Sequence, residues 1–260
     1  MKTAVAGATG RVGRHIVDVL TERGHEVVPI SRSNGIDVIT GEGLAEALTG
    51  VEAIIDAATG PSPDQRAATD FFTTATRNLQ REGERAGARQ LVVLSIIGAD
   101  RFSGSYGAAK IAHEEAALAG PITARILRAA QFHEFVDQLV QWGTRGDTAY
   151  VQNMRTQLVA ARTVAEVLVD IVGEDGPLAE VAGPREANLV EVARLLVATR
   201  GDALAVESWR DPSDRDADVY ESGELLPGPD AILAGPTFEQ WLDLQASSNP
   251  TWRRIAIESE

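Results

Sequence analysis

The chain has no cysteine, two methionines and few aromatic residues, which make up 5% of its 260 positions. Without cysteine there is no disulfide, no thiolate metal site and no cysteine nucleophile. No apolar run approaches the roughly 18 residues that a transmembrane helix needs. No basic stretch followed by an apolar segment and a small-residue cleavage site opens the sequence. The expectation is a cytoplasmic protein. Lysine is nearly absent too: of the 24 basic residues, only Lys2 and Lys110 are not arginine. The acidic excess leaves a net charge of −14, which repels polyanions and argues against nucleic acid or an anionic membrane as partner.

The informative segment is Val5-Ala6-Gly7-Ala8-Thr9-Gly10-Arg11-Val12-Gly13. The apolar run Thr3–Ala6 before it suits a buried parallel strand. After it, Val12, Ile16, Val19 and Leu20 recur at helical spacing up to Gly24, placed as a C-terminal cap. Glycines 7, 10 and 13 therefore occupy a strand-to-helix turn. Such a turn can cradle a pyrophosphate: one glycine allows the tight turn, one the approach of the phosphates, one the packing of helix on strand. The helix N-terminus adds free N–H groups and a positive dipole end.

Strand and helix patterns alternate through the first half. Strands are expected at 2–6, 26–31, 52–57, 90–95 and 123–128, and helices at 11–23, 42–48, 64–87, 105–119 and 131–143. This alternation predicts an α/β fold, a doubly wound parallel sheet of Rossmann type. Ligands then lie beyond the carboxyl ends of the strands. Past residue 145 the rhythm loosens, with strands at 149–151, 157–160, 178–182 and 204–209 and helices at 163–172, 188–200 and 237–246. The expected organisation is a cofactor domain over 1–145, with returning elements from 146–200, and a smaller α/β substrate lobe with its tail over 146–260. The stretch 210–230, with Asp211, Asp214, Asp216, Asp218, Glu221 and Glu224, reads as a solvated acidic loop whose spacing does not fit a calcium loop. The tail from Ser247 onward has little core potential. Trp142, Trp209, Trp241 and Trp252 read as packing residues.

About 20 residues after the glycines an NAD site usually places an acid for the ribose hydroxyls. Here Ser31-Arg32-Ser33 stands instead, and the next acid is Asp37. Arginine pairs with a 2′-phosphate that an acid would repel, so NADP(H) is expected over NAD(H). The fourth strand delivers Ser95 to its end. Eleven residues on, Tyr106 and the only interior lysine, Lys110, open a helix at i and i+4, on one face. A lysine beside a tyrosine lowers the phenol pKa towards that of a working acid or base, and a serine on the adjacent strand end can hydrogen-bond a carbonyl oxygen. His133 follows the fifth strand, where a substrate could meet it. His15, His25 and His113 have no companions at metal-ligand spacing, and no metal is expected.

The Gly7-x-x-Gly10-x-x-Gly13 turn, Ser95 and Tyr106-x-x-x-Lys110 together resemble the short-chain dehydrogenase/reductase superfamily, in its extended and atypical branches. Ala57-Ala58-Thr59, Leu94–Gly98, Leu127–His133 and Ala182–Glu186 are similar to NmrA-like NAD(P)-binding proteins. The resemblance covers about residues 1–200. It implies that Gly7, Thr9, Gly10, Arg11, Val12 and Gly13 hold the pyrophosphate and that Arg32 meets the adenosine phosphate. Ala57, Ala58 and Thr59 would line the path to the nicotinamide ribose. Tyr106 would be the acid/base, Lys110 would bind that ribose and tune Tyr106, and Ser95 would polarise the carbonyl. Gln131, Phe132 and His133 would wall the nicotinamide or substrate side, and Asn78 matches a family asparagine. The Ser95-to-Tyr106 interval is shorter than in typical reductases. The implied function is an NADP(H)-dependent oxidoreductase on a carbonyl or alcohol of a small organic molecule, compatible with a helix-mediated homodimer. The alternatives are a catalytically silent NADP(H) sensor, since many NmrA-like members have lost the tyrosine, and an NAD(P)-retaining epimerase or dehydratase.

Overall fold

A computed structural model describes residues 1–60, 62–174, 176 and 178–248. The expected strands and helices of the first half form: β1 (Lys2–Ala6), α1 (Gly13–Glu22), β2 (Glu26–Ile30), α2 (Leu44–Ala47), β3 (Ala53–Asp56), α3 (Gln65–Ala86), β4 (Gln90–Ile96), α4 (Ser105–Leu118), β5 (Thr123–Ala129) and α5 (Phe135–Gly143). The remainder adds β6 (Thr144–Arg145), β7 (Thr148–Gln152), β8 (Arg155–Thr156), α6 (Ala161–Asp170), β9 (Leu178–Ala182), β10 (Ala187–Asn188) and α7 (Leu189–Arg200). It ends with β11 (Ala205–Trp209), α8 (Ala217–Ser222), β12 (Ile232–Leu233) and α9 (Phe238–Ser248).

A seven-stranded sheet runs in the order β12-β9-β5-β4-β3-β1-β2, with parallel pairing at β1/β2, β1/β3, β3/β4, β4/β5 and β9/β12. β3 is buried at all four positions, as a parallel strand covered on both faces must be. β2 is an edge strand, which is why it tolerates Pro29, a residue with no N–H to give the ladder. β1 lies between β2 and β3, so the winding reverses there and the ends of β1 and β3 flank the switch point, where doubly wound sheets bind ligands.

Helix boundaries follow their caps. Asp64 accepts from the Ala67 N–H at 3.0 Å to open α3, and Gly87 closes it at φ +82°. Buried Leu79, Leu91, Val93, Ile54 and Ile126 form one apolar cluster with Ala4, Ala6, Leu44 and Leu48.

The chain divides into two compact units, Met1–Ala129 with Ala161–Glu180, and Ala130–Ala160 with Val181–Glu260. The first unit thus ends at β5, ahead of the expected limit at 145, and α6 returns to it. The return is explained by packing on α1, with Arg162 donating to Glu22 (2.5 Å) and Arg23 to Asp170 (2.6 Å) at the rim. In the second unit, β6, β7 and β11 form a three-stranded sheet and β8 pairs with β10.

The acidic stretch differs from expectation. Asp211 and Asp214 accept from the N–H groups of Ser213 and Asp216, and Arg210 reaches Asp218 and Glu221 from the preceding segment. These bonds, with Ala217, Asp216 and Leu225 buried, form α8 within what composition marks as loop. The tail from Asn249 on, Trp252 included, lies outside the described residues. Among the described residues no helix is long and apolar enough to cross a membrane.

Candidate functional site

In the first unit, Gly7 ends β1 at φ +76°, and a Cβ there would meet the backbone of Ala57 and Ala58 at 2.7–2.8 Å. A Cβ on Gly13 would stand 2.0 Å from the Gly7 carbonyl oxygen. Both contacts forbid any side chain. Gly10 is different: its N–H donates to the Gly7 carbonyl (2.9 Å), and a Cβ would meet only that oxygen, at 3.1 Å. Gly10 and Thr9 are exposed, Arg11 is half-buried, and Val12 and Gly13 are buried. No side chain caps the start of α1, which leaves the helix N-terminus available to an anion. The cradle fits a dinucleotide pyrophosphate.

Ala57 and Ala58 continue from the end of β3. Ala57 N–H donates to the Ala6 carbonyl and Ala58 N–H to Asp56 Oδ1, both within 3.1 Å, while Thr59 is exposed. Arg32 is exposed at the end of β2, in a short 3-10 turn over Arg32–Asn34. Asp37, the next acid, accepts from its own loop at Ile39 N–H (2.7 Å). Asn78 donates to the carbonyls of Val38 and Ile39 (2.8 and 2.9 Å), tying that loop to α3.

The three residues expected to do chemistry also lie in this unit. Ser95, 1% exposed, donates to Glu114 Oε1 at 2.5 Å. Arg128, its register partner on β5, grips the same carboxylate through Nε (2.9 Å) and a terminal nitrogen (2.8 Å), and reaches Asp100 as well. The Glu114 carboxylate raises the Arg128 pKa. Lys110, 4% exposed, donates to the Leu94 carbonyl (2.6 Å) and to His113 Nδ1 (2.9 Å), with its ammonium 4.3 Å from the Phe72 ring centre. Because lysine only donates, His113 carries its hydrogen on Nε2 and gives it to Asp56 Oδ2 at 3.2 Å. Burial lowers Lys110 to about 8, with Asp56 and Glu114 opposing. Burial and Lys110 together lower His113.

Tyr106 packs edge-on against Phe72 with ring centres 5.8 Å apart. Burial pushes its phenol above the usual value of 10.0. This corrects the expected lowering by Lys110. The two share a helix face, but the ammonium is turned into the core, towards Leu94 and His113. The structure likewise commits the Ser95 hydroxyl to Glu114. Asp56, His113, Glu114 and Arg128 escaped the reading of the sequence. Their signal was there: His113 and Glu114 follow Lys110 at i+3 and i+4, on the inward face of α4.

The second unit holds Gln131, Phe132 and His133. Phe132 bridges to Val159, and Gln131 lines a cavity of about 440 Å³. His133 is 1% exposed, bonds the Pro236 carbonyl through Nε2 (3.1 Å) and lies against Phe238 and Trp241. It is a core histidine, which corrects its expected place at the substrate. Among the described residues no cluster of three His, Asp or Glu could hold a metal.

A glycine cradle at the switch point of a parallel sheet defines a dinucleotide-binding Rossmann protein. The chain belongs to the NAD(P)H-binding family, whose model matches residues 7–175. It is 31% identical over 116 residues to the photosystem II assembly factor Ycf39 of Synechocystis sp., covering 39% of this chain and 36% of that protein. It is 34% identical over 117 residues to sterol demethylase protein B of Methylococcus capsulatus, covering 38% and 35%. The match thus spans about a third of each curated relative's length. By fold the chain is similar to MoeE5 in complex with UDP-glucose and NAD (TM-score 0.69, 18% identity, 95% and 99% of the two chains). It is also similar to UDP-N-acetylglucosamine 4-epimerase from Bacillus cereus (0.69, 17%, 96% and 97%). A dTDP-4-dehydrorhamnose reductase from Clostridium acetobutylicum gives 0.68 at 18%, over 80% and 84%. The family match and the shared fold agree with the NAD(P)-binding Rossmann protein expected from the sequence.

Burial drives His133 from 6.5 down to about 4, with the Pro236 carbonyl and Glu239 partly offsetting. Between those pH values the unfolded chain binds more protons, so the fold loses stability as pH falls through that window. His133→Phe is expected to flatten this loss, measured by urea denaturation at stepped pH. Parallel curves for the two proteins would contradict the assignment.

Proposed function

We propose that this chain is an NADP(H)-dependent oxidoreductase acting on the carbonyl or alcohol of a small organic molecule, with Tyr106 as proton donor. The observation that carries the reading is the presence, in one unit, of a cradle that admits no Cβ at Gly7 or Gly13 and a half-buried phenol opening α4. Gly7, Thr9, Gly10, Arg11, Val12 and Gly13 hold the pyrophosphate, and Ala57, Ala58 and Thr59 border it. The preference for NADP(H) rests on Arg32, whose exposed guanidinium suits a 2′-phosphate, and on Asp37, whose carboxylate is occupied within its own loop. Bound NADP(H) supplies or takes up hydride at its nicotinamide. Tyr106, whose phenol burial pushes above 10.0, carries its proton at neutral pH and would give it to an oxygen that gains negative charge during reduction.

Lys110 would reach a ribose hydroxyl only by releasing Leu94 or His113, and Ser95 a carbonyl only by releasing Glu114. That observation favours a second reading, an NADP(H)-binding sensor that regulates a partner without turnover. Tyr106→Phe separates the two. The enzyme reading expects NADPH oxidation with a carbonyl panel to fall by about 100-fold or more while NADPH binding stays within about twofold. Native protein that binds NADPH and consumes none favours the sensor, and turnover that survives Tyr106→Phe contradicts the assigned acid. Arg32→Asp is expected to weaken NADPH by about tenfold or more relative to NADH, measured by fluorescence titration. An unchanged NADPH/NADH ratio removes the cofactor assignment.

A further inference from the structure

The second unit contains a cavity of about 440 Å³, the size range of small-molecule sites. Aromatics are only 5% of the chain, yet five aromatic side chains line this one cavity. Three of them are far from buried: Trp142 is 65% exposed, Trp209 42% and Tyr150 38%. Trp142 meets Phe135 edge-on (5.5 Å between ring centres) and Tyr150 meets Trp209 in the same way (6.4 Å), so the walls are ring pairs already fixed in place. Leaving such faces in water is costly, and packing within the fold does not account for it.

The polar groups on the lining are few and specific. Arg145 holds its guanidinium 5.8 Å from the Tyr150 ring centre and 6.0 Å from that of Trp209. Among the described residues no carboxylate pairs with it, in a chain whose net charge is −14. Gln152 is also among the lining residues, but its Nε2 is closed off from solvent, which leaves Arg145 as the charged group of the site. A cation held over aromatic faces, with no carboxylate of its own, suits an aromatic anion.

We propose that this cavity binds a planar aromatic carboxylate, its rings against Trp142, Trp209 and Tyr150 and its charge met by Arg145. The flat walls select an aromatic ring over a bulky aliphatic one. The unpaired guanidinium selects an anion over its neutral ester, because a planar fork meets a carboxylate at two points. The site goes beyond the oxidoreductase reading and needs no hydride step, so binding alone tests it.

The probe is 6-hydroxy-2-naphthoate, titrated into full-length protein by tryptophan quenching and by calorimetry, with its methyl ester as the uncharged control. The expected result is saturable binding of the acid, with the ester weaker by about tenfold. Arg145→Gln should weaken the acid by a similar factor while leaving the ester unchanged, and Trp209→Leu should weaken both. Arg145 is exposed, so the variant's thermal melt should match the native one. Native protein that melts cooperatively and gives no saturable response overturns the proposal. So does an acid that binds Arg145→Gln as tightly as native protein. NADPH titrated into the same samples keeps the two readings apart: loss of NADPH binding sinks the oxidoreductase reading and leaves the naphthoate result to stand or fall by itself.

Discussion

The closest constraint in the first unit is the approach of α1 to the end of β1. A Cβ on Gly13 would stand 2.0 Å from the Gly7 oxygen, and one on Gly7 would strike Ala57 and Ala58 of the neighbouring strand end. These two glycines pull three pieces of backbone together at the point where the sheet reverses its winding. Gly10 is less constrained. A Cβ there would meet one atom, the Gly7 carbonyl oxygen at 3.1 Å, a tight contact but a milder one than those at Gly7 and Gly13. Gly7 and Gly13 belong to the architecture, and the proposed function gives Gly10 to the cofactor. That division explains how one short segment announces both the fold and the cofactor.

Around the end of β4 lies a polar core with balanced formal charge: Lys110 and Arg128 against Asp56 and Glu114, with His113 neutral between Lys110 and Asp56. Burying charges in this way is justified only when each finds a charged or hydrogen-bonding partner. Here each does: Glu114 takes three hydrogen bonds from Ser95 and Arg128, and Lys110 gives its hydrogens to Leu94 and His113 beside the Phe72 ring. The network fixes α4 to β4 and β5. It thereby sets where Tyr106, at the first turn of α4, stands relative to the cradle in the same unit. Lys110 and Ser95 are engaged by their partners, and under the proposed oxidoreductase reading the phenol is the group left to serve as acid.

The strands and helices of the first half were legible to within a residue or two for most elements, because buried parallel strands and amphipathic helices carry strong periods and their ends carry Asp64, Gly24 and Gly87. The two-residue strands β6, β8, β10 and β12 carry no period, and α8 follows aspartate turns at Asp211 and Asp214 that composition alone reads as loop. The break at Ala129 depends on contacts far apart in sequence. In the site, i and i+4 spacing told which face Tyr106 and Lys110 share, but a lysine side chain is long enough to choose among several partners. It chose a carbonyl and a histidine whose own partner, Asp56, lies 57 positions away in the chain. His133 and the tryptophans show the same limit: the sequence marks aromatic residues without telling which are packed, as Trp241 is, and which line a cavity, as Trp142 and Trp209 do.

The central claim is that Gly10 is kept bare for the cofactor while Gly7 and Gly13 are kept bare for the fold. NADPH titration of Gly10→Ala, read by fluorescence alongside a thermal melt, tests it most directly. The account predicts a melting temperature within a few degrees of the native value, a cost of about 1 kcal/mol or less, with NADPH affinity reduced by at least about tenfold. Unchanged NADPH affinity in a folded Gly10→Ala protein would contradict it.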